Sequence, residues 1–114
     1  MTGLKISRQP ENGICLLRLM GEARVEGIPQ LEKAVATSLG EGAQSLLLDL
    51  TSLAFMDSAS AGTLMRVAQE LKKDGGHLVM FGVPRMIARM IDAAGLAACF
   101  DLADDEAAAR AVVA

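Results

Sequence analysis

Two short apolar runs, SLLLDL at residues 45–50 and HLVMF at residues 77–81, constrain most strongly what this chain can fold into. Unbroken runs of this length are typical of strands that are buried on both faces of a parallel sheet. Between them lies a helical pattern, in which Leu64 and Leu71 mark an apolar face and Glu70 and Lys72 a polar one. Strands that alternate with helices predict crossover units and a largely parallel sheet.

The rest of the chain extends this pattern on both sides. A turn signal at residues 11–13 joins two further strands into an N-terminal hairpin. The predicted fold class is α/β, with a central mixed sheet of four to five strands and about four helices. One domain is expected over residues 1–114. Strands are predicted at residues 4–9, 14–20, 43–50, 77–81 and 99–102, and helices start near Pro29, after Ser58, at Pro84 and at Asp104.

Composition argues against several classes of function. The net charge is −3, the basic residues are scattered, and there are three Phe but no Trp or Tyr, so no nucleic-acid partner is expected. Cys15 and Cys99 lie in apolar segments and predict core residues, not metal ligands, and no cofactor or metal is expected. The longest uncharged stretch is about ten residues, far below the ~18 that span a bilayer. No membrane insertion and a cytoplasmic location are therefore expected.

The segment FMDSASAGTL, residues 55–64, leaves three interpretations open. Asp57 or Ser58 could cap the helix that follows. A nucleophilic serine is disfavoured, because the segment lacks the first glycine of a G-x-S-x-G elbow and the one histidine, His77, begins the next strand. A serine that accepts a phosphoryl group fits a helix N-terminus, where amide groups and the helix dipole tolerate negative charge.

Together with LLLDLTSL at residues 46–53, this segment resembles the signature of the STAS family, of the anti-sigma factor antagonist type. The Gly21-Glu22 turn, the Gly75-Gly76 turn and the DAAGL run at residues 92–96 fit the same pattern. The resemblance covers the whole chain and implies the STAS fold.

The resemblance also implies a partner-switching function without catalysis by the chain itself. Ser58 is then the phosphorylation site, and the expected partners are an anti-sigma factor with serine kinase activity and a serine phosphatase. The alternative is a non-enzymatic STAS subunit of an ABC lipid-transport system or of a stress-signalling scaffold. The expected partner-binding residues are Arg24, Asp57, Ser58, Ala59, Ser60, Gly62 and Met65.

Two of these residues depart from the family pattern. Arg24 stands where the family often has an aspartate, and Ser60 where it commonly has a glycine. The strands that end near residues 21 and 50 are expected to be parallel neighbours, which places Arg24 near Ser58. There Arg24 could hold a phosphate, or pair with Asp57 or with an acidic partner. The remaining interpretation is a freely solvated arginine in a mobile loop.

Two further patterns concern the surface. Arg85 and Arg89, together with Lys72 and Lys73, could form a basic rim for an acidic partner, although a solvated helix face is the favoured interpretation. Met65 lies off its apolar helix stripe and is the better candidate for an interface. Met86 and Met90 are predicted to fill the core.

Overall fold

A computed structural model describes residues 3–114, so the first two residues of the predicted domain lie outside the described residues. It contains six strands and four α-helices, with short 3-10 turns at Val25–Gly27 and Ala97–Cys99. The strands are β1 Leu4–Glu11, β2 Ile14–Ala23, β3 Ser45–Asp49, β4 Leu53–Met56, β5 Leu78–Phe81 and β6 Asp101–Ala103. The helices are α1 Ile28–Gly40, α2 Ser58–Lys73, α3 Arg85–Ala93 and α4 Glu106–Val113.

The strands form one mixed sheet in the order β1-β2-β3-β5-β6, and β4 pairs with the end of β2. The hairpin β1–β2 is antiparallel, and all the other pairs are parallel. The predicted fold class is confirmed, including the N-terminal hairpin and the parallel neighbours β2 and β3. The structure has one strand more than the four to five predicted.

The two apolar runs form the centre of this sheet, because their side chains are buried on both faces. On one face, Leu46 and Leu48 pack in a large cluster that includes residues of α1, α2 and α3. On the other face, Leu47 and Val79 pack in a small cluster with Ala109 of α4. The alternation of a strand thus distributes one run of leucines between two cores.

The fourth strand explains why β2 is longer than predicted. Sequence reasoning placed a turn at Gly21-Glu22 and a loop before Asp57, whereas β2 continues to Ala23 and pairs with β4. The register shifts between Gly21 and Glu22, so Gly21 forms a bulge and does not end the strand. Its φ of 91° and the closeness of the Gly3 carbonyl oxygen leave no room for a side chain.

Two smaller predictions are corrected. The last strand begins at Asp101, because Ala97–Cys99 forms a 3-10 turn. Met86 is 76% exposed, because α3 turns Ile87 and Ile91 inward and leaves the preceding position on the solvent side. Met90 is half-buried and packs against the large cluster. Within residues 3–114, no helix has the length and apolar character that crossing a membrane requires.

Candidate functional site at the start of helix α2

The candidate site lies at the carboxyl edge of the sheet, where β2 and β4 end side by side. Ala23 and Met56 are register partners in this parallel pair. The Asp57 amide donates to the Ala23 carbonyl oxygen at 2.9 Å, which extends the pairing by one step. As a result, the residues that follow the two strands, Arg24 on one side and Ser58 on the other, emerge at the same edge.

Asp57 is the N-cap of α2, which decides between the two capping residues that the sequence allowed. Its backbone is extended, with φ −87° and ψ 169°, and its Oδ1 accepts from the Ser60 amide at 2.8 Å. Its Oδ2 accepts from the Val25 amide, also at 2.8 Å. One carboxylate therefore caps the helix and fastens the β2–α1 connection to it.

The pKa of the Asp57 carboxyl lies below its usual range. Partial burial by itself raises this pKa, but hydrogen bonds from Ser60 and Val25 and the charge of Arg24 outweigh that effect. Asp57 is therefore ionised at neutral pH, and the start of α2 carries a fixed negative charge.

The small residues after Asp57 differ in their exposure. Ser58 and Ala59 are exposed, and the Ser58 hydroxyl has no hydrogen-bond partner among residues 3–114. Ser60 is 1% exposed, and its Oγ is buried without a partner in the same described range. Gly62 is half-buried, and Met65 is half-buried against the large core cluster. The outer surface of the helix start thus consists of Ser58 and Ala59.

Arg24 pairs with Glu22 and not with Asp57, which was one of the alternatives that the sequence left open. Its Nε donates to Glu22 Oε1 at 2.8 Å, and its guanidinium carbon lies 4.3 Å from the ring centroid of Phe55. Residues two apart in an extended strand share a face, so the carboxylate of Glu22 is within reach. The hydrogen bond that Arg24 donates to Glu22 and the nearby charges of Glu26 and Asp57 raise the pKa of Arg24.

Sequence reasoning missed three residues at this site. Glu22 and Phe55 hold the Arg24 side chain, and Val25 is 54% exposed while its amide binds Asp57. No local pattern assigns these roles to them, because the roles depend on the pairing of β2 with β4.

The histidine lies at the opposite edge of the sheet. His77 precedes β5, and its Nδ1 is 3.0 Å from Asp101 Oδ2. Since β4 and β5 run in the same direction, the amino end of β5 is far from the carboxyl end of β4, where Ser58 lies. Ser58 therefore has no histidine beside it. Among residues 3–114, no group of three or more metal-ligating side chains could hold a metal ion.

A sequence model of the STAS domain covers residues 5–109 of this chain. The chain belongs to the STAS domain family. A Bordetella bronchiseptica protein named as an anti-sigma factor antagonist, BtrV, is 25% identical over 108 residues, which are 95% of this chain and 93% of that protein. The anti-sigma-B factor antagonist of Staphylococcus epidermidis is 28% identical over 80 residues, 70% of this chain and 74% of that protein.

Solved structures support the same fold. An anti-sigma factor antagonist from Mycobacterium paratuberculosis matches with a TM-score of 0.85 at 22% identity, over 97% of this chain and 94% of the other. A Thermotoga maritima structure matches with a TM-score of 0.82 at 19% identity, over 95% and 93% of the two chains. These matches show that the α/β arrangement described above is that of STAS domains.

Proposed function

We propose that this chain is an anti-sigma factor antagonist that acts by partner switching, with Ser58 as its phosphorylation site. One observation carries the proposal: the Ser58 hydroxyl is exposed and lacks a partner within residues 3–114, because Asp57 makes the helix cap. The names of the relatives from Bordetella and Staphylococcus support the biological role.

In the unmodified state, the start of α2 and the β2–α1 connection form the docking surface. Ser58 and Ala59 are small and exposed, so the backbone of a partner can approach closely. Val25, more than half exposed, adds apolar area beside them. Asp57 holds the two segments together and fixes their relative position. The partner is an anti-sigma factor, and its capture by this chain frees a sigma factor.

Phosphorylation then ends the complex. The anti-sigma factor is itself a serine kinase: the Ser58 Oγ attacks the γ-phosphorus of its ATP, ADP leaves, and the hydroxyl proton passes to a base of the kinase. A serine phosphatase reverses the change with water and releases inorganic phosphate. This chain supplies only the hydroxyl and is not an enzyme. The one histidine, His77, precedes β5 and lies at the edge of the sheet opposite to Ser58.

The electrostatics of the helix start explain how the phosphorylated domain stays folded while its partner dissociates. A phosphoserine adds about −1.5 to −2 charge. The first amides of α2, at Ser58 and Ala59, have no partner within the helix and favour this charge. A docked partner, in contrast, meets new bulk and a phosphate next to the ionised Asp57. The modification therefore costs binding free energy more than folding free energy.

Capture of partners from the native cell tests the proposal. Tagged wild type, Ser58→Asp and Ser7→Asp are compared. Ser7 is an exposed serine on β1, so its replacement adds the same charge away from the site. We expect a kinase-type anti-sigma factor on the wild type and on Ser7→Asp, and little on Ser58→Asp. With the purified factor, Ser58→Asp should bind about tenfold or more weakly, a loss of at least about 1.4 kcal/mol.

Two outcomes would contradict the proposal. Equal affinity of the wild type and Ser58→Asp would remove Ser58 from the interface. Recovery of transporter subunits or scaffold proteins, without any dependence on Ser58, would favour the alternative role as a non-enzymatic STAS subunit.

A further inference from the structure

Two of the seven arginines differ from the others in having no carboxylate partner among residues 3–114. Arg85 and Arg89, both exposed on α3, form no ion pair within residues 3–114. The remaining five are all paired, in the bridges Arg8–Glu41, Arg18–Asp49, Arg24–Glu22, Arg66–Glu32 and Arg110–Glu11. In a chain of net charge −3, the start of α3 is therefore a local patch of uncompensated positive charge.

These two charges do not help α3 to form. Arg85 is the first residue of the helix, where a positive charge opposes the helix dipole, and the first turn has no acidic residue. Pro84, the N-cap, makes no side-chain cap. Arg85 and Arg89 are four residues apart, a spacing at which like charges repel each other. Neither the helix dipole nor an ion pair within residues 3–114 therefore accounts for the two arginines.

An exposed methionine lies beside the arginines. Met86 is 76% exposed, more than any other large hydrophobic side chain in residues 3–114. An unbranched thioether side chain adapts its shape to a partner and commonly serves as an apolar contact at interfaces. Arg85, Met86 and Arg89 together are here called the α3 surface.

The α3 surface lies at the same edge of the sheet as Ser58. Helix α3 follows β5 and α2 follows β4, and both strands run parallel to the centre of the sheet. Their first turns therefore emerge at one edge, and α3 packs against α2 and β4. Lys72 and Lys73 are at the far end of α2. The two lysines are therefore far from Arg85 and Arg89, and the four residues do not form the single basic rim that the sequence suggested.

We propose that the α3 surface docks a protein surface on which carboxylates surround an apolar pocket, with Met86 in the pocket and each guanidinium on a carboxylate. Two free guanidinium groups and an exposed apolar side chain complement such a surface in charge and in shape. The inference rests on the proposed function, because the partner is the anti-sigma factor that binds at Ser58. It adds a second contact area and the chemistry of the partner.

Calorimetric titration of the purified anti-sigma factor tests the α3 surface. The variant Arg85→Glu/Arg89→Glu should bind about 10- to 100-fold more weakly at 50 mM salt, with a smaller difference at 300 mM. Met86→Ala should lose about tenfold with little dependence on salt. The matched control is Lys72→Glu/Lys73→Glu, which changes the net charge equally at the far end of α2 and should stay within about threefold of the wild type.

Thermal melts separate a docking role from a structural one. A glutamate in place of Arg85 suits the helix dipole at the first position of α3. Residue 89 lies in the middle of the helix, and the repulsion between positions 85 and 89 is similar for two like charges of either sign, so the melting midpoint of the charge-reversed variant should be unchanged or about 1–5 °C higher. Weaker binding by a protein that is at least as stable would support the α3 surface. A lower midpoint in parallel with the weaker binding would overturn it.

The remaining outcomes are distinct. If Ser58→Asp weakens binding but the α3 variants do not, only the α3 surface is refuted. If Lys72→Glu/Lys73→Glu loses as much as the α3 variant, general electrostatic steering explains the effect and the α3 surface is refuted as well. If the wild type binds no anti-sigma factor, the proposed function and this inference both fail.

Discussion

The starts of helices α2 and α4 share three of five residues, Asp-Ser-Ala-Ser-Ala at 57–61 and Asp-Glu-Ala-Ala-Ala at 105–109. In each, the aspartate is the N-cap and accepts from the third amide of the helix, at 2.8 Å in α2 and 2.9 Å in α4. In each, the carbonyl oxygen of the aspartate accepts from the fourth amide. Ala61 and Ala109, in equivalent positions, are both 0% exposed. The backbone requirements of the two helix starts are thus met in the same way.

The two helix starts differ in the side chains at the first and third helix positions. In α4, Glu106 occupies the first position and forms an ion pair with Arg110 at 2.9 Å. In α2, the first position is Ser58, whose hydroxyl has no partner within residues 3–114, and the third is Ser60, whose hydroxyl is buried and also unpartnered there. The polar side chains at the start of α4 thus have partners, whereas two hydroxyls at the start of α2 have none within residues 3–114.

Replacing the two N-cap aspartates should show the largest difference between the helices in the free energy of unfolding. Asp57→Ala loses bonds to Ser60 and Val25, while Asp105→Ala loses one, to Ala108. We expect the free energy of unfolding to fall by about 2 kcal/mol for Asp57→Ala and about 1 kcal/mol for Asp105→Ala. Denaturant titrations measure both. Equal losses would mean that the bond to Val25 adds nothing to stability.

The dependence of stability on pH should also single out Asp57. Its pKa is lowered in the folded protein, so its contribution is present above the unfolded pKa of about 3.9 and is lost as the pH falls through the lower folded value. Glu11, Glu41 and Asp49 have lowered pKa values as well and form a shared acid-sensitive background. The stability gap between wild type and Asp57→Asn should therefore be larger at pH 7 than at pH 2.5. A constant gap would contradict this assignment.

Much of this arrangement follows from sequence periodicity. The leucine run of β3 and the apolar stripe of α2 are strong signals, because burial fixes which positions must be apolar. The order of strands and helices then places Arg24 and Ser58 at one edge of the sheet. Strand β4 lacked such a signal, since it has four residues with two of them, Leu53 and Met56, buried.

The finer features of the site depend on side-chain geometry. Both Asp57 and Ser58 are good caps, and only the backbone geometry decides between them. The partner of Arg24 depends on the continuation of β2 past the Gly21 bulge, which brings Glu22 to the same face. The exposure of Met86 depends on how α3 is rotated against the core. None of these is a periodic property of the sequence.

Replacing Ser60 should make the start of α2 more like that of α4. Ser60→Ala removes a buried hydroxyl without a partner and places alanine where α4 has Ala108. We expect the free energy of unfolding to rise by about 1 kcal/mol, from the relieved desolvation and from the better helix propensity. A denaturant titration against wild type measures the gain, and Thr63→Ser, which keeps a hydroxyl in the next turn, is the control. A loss of stability would show that the hydroxyl has a partner in solution.

In α4, Arg110 forms an ion pair with Glu106 at the first helix position. Replacing Arg24 tests whether Arg24 does the same for a phosphate at Ser58, the first position of α2. Arg24→Ala should change stability little, because an exposed ion pair contributes little to folding. If Arg24 leaves Glu22 to hold a phosphate on Ser58, the variant should be dephosphorylated about two- to fivefold faster. Glu22→Gln is the matched control, because it releases Arg24 and should slow the reaction. Equal rates in all three proteins would exclude a role for Arg24 at the phosphate.

The smallest effect on stability is expected at the residue that matters most for the proposed function. Ser58→Ala removes a hydroxyl that neither caps the helix nor bonds elsewhere in residues 3–114, so the free energy of unfolding should change by less than about 0.5 kcal/mol. Glu106→Ala, at the same position of α4, loses an ion pair and should cost more. Ser58→Ala should still bind the anti-sigma factor but take up no phosphate from it, as measured with labelled ATP. Phosphate incorporated at another residue of this variant would move the switch away from Ser58, and a large loss of stability would mean that the serine is part of the cap after all.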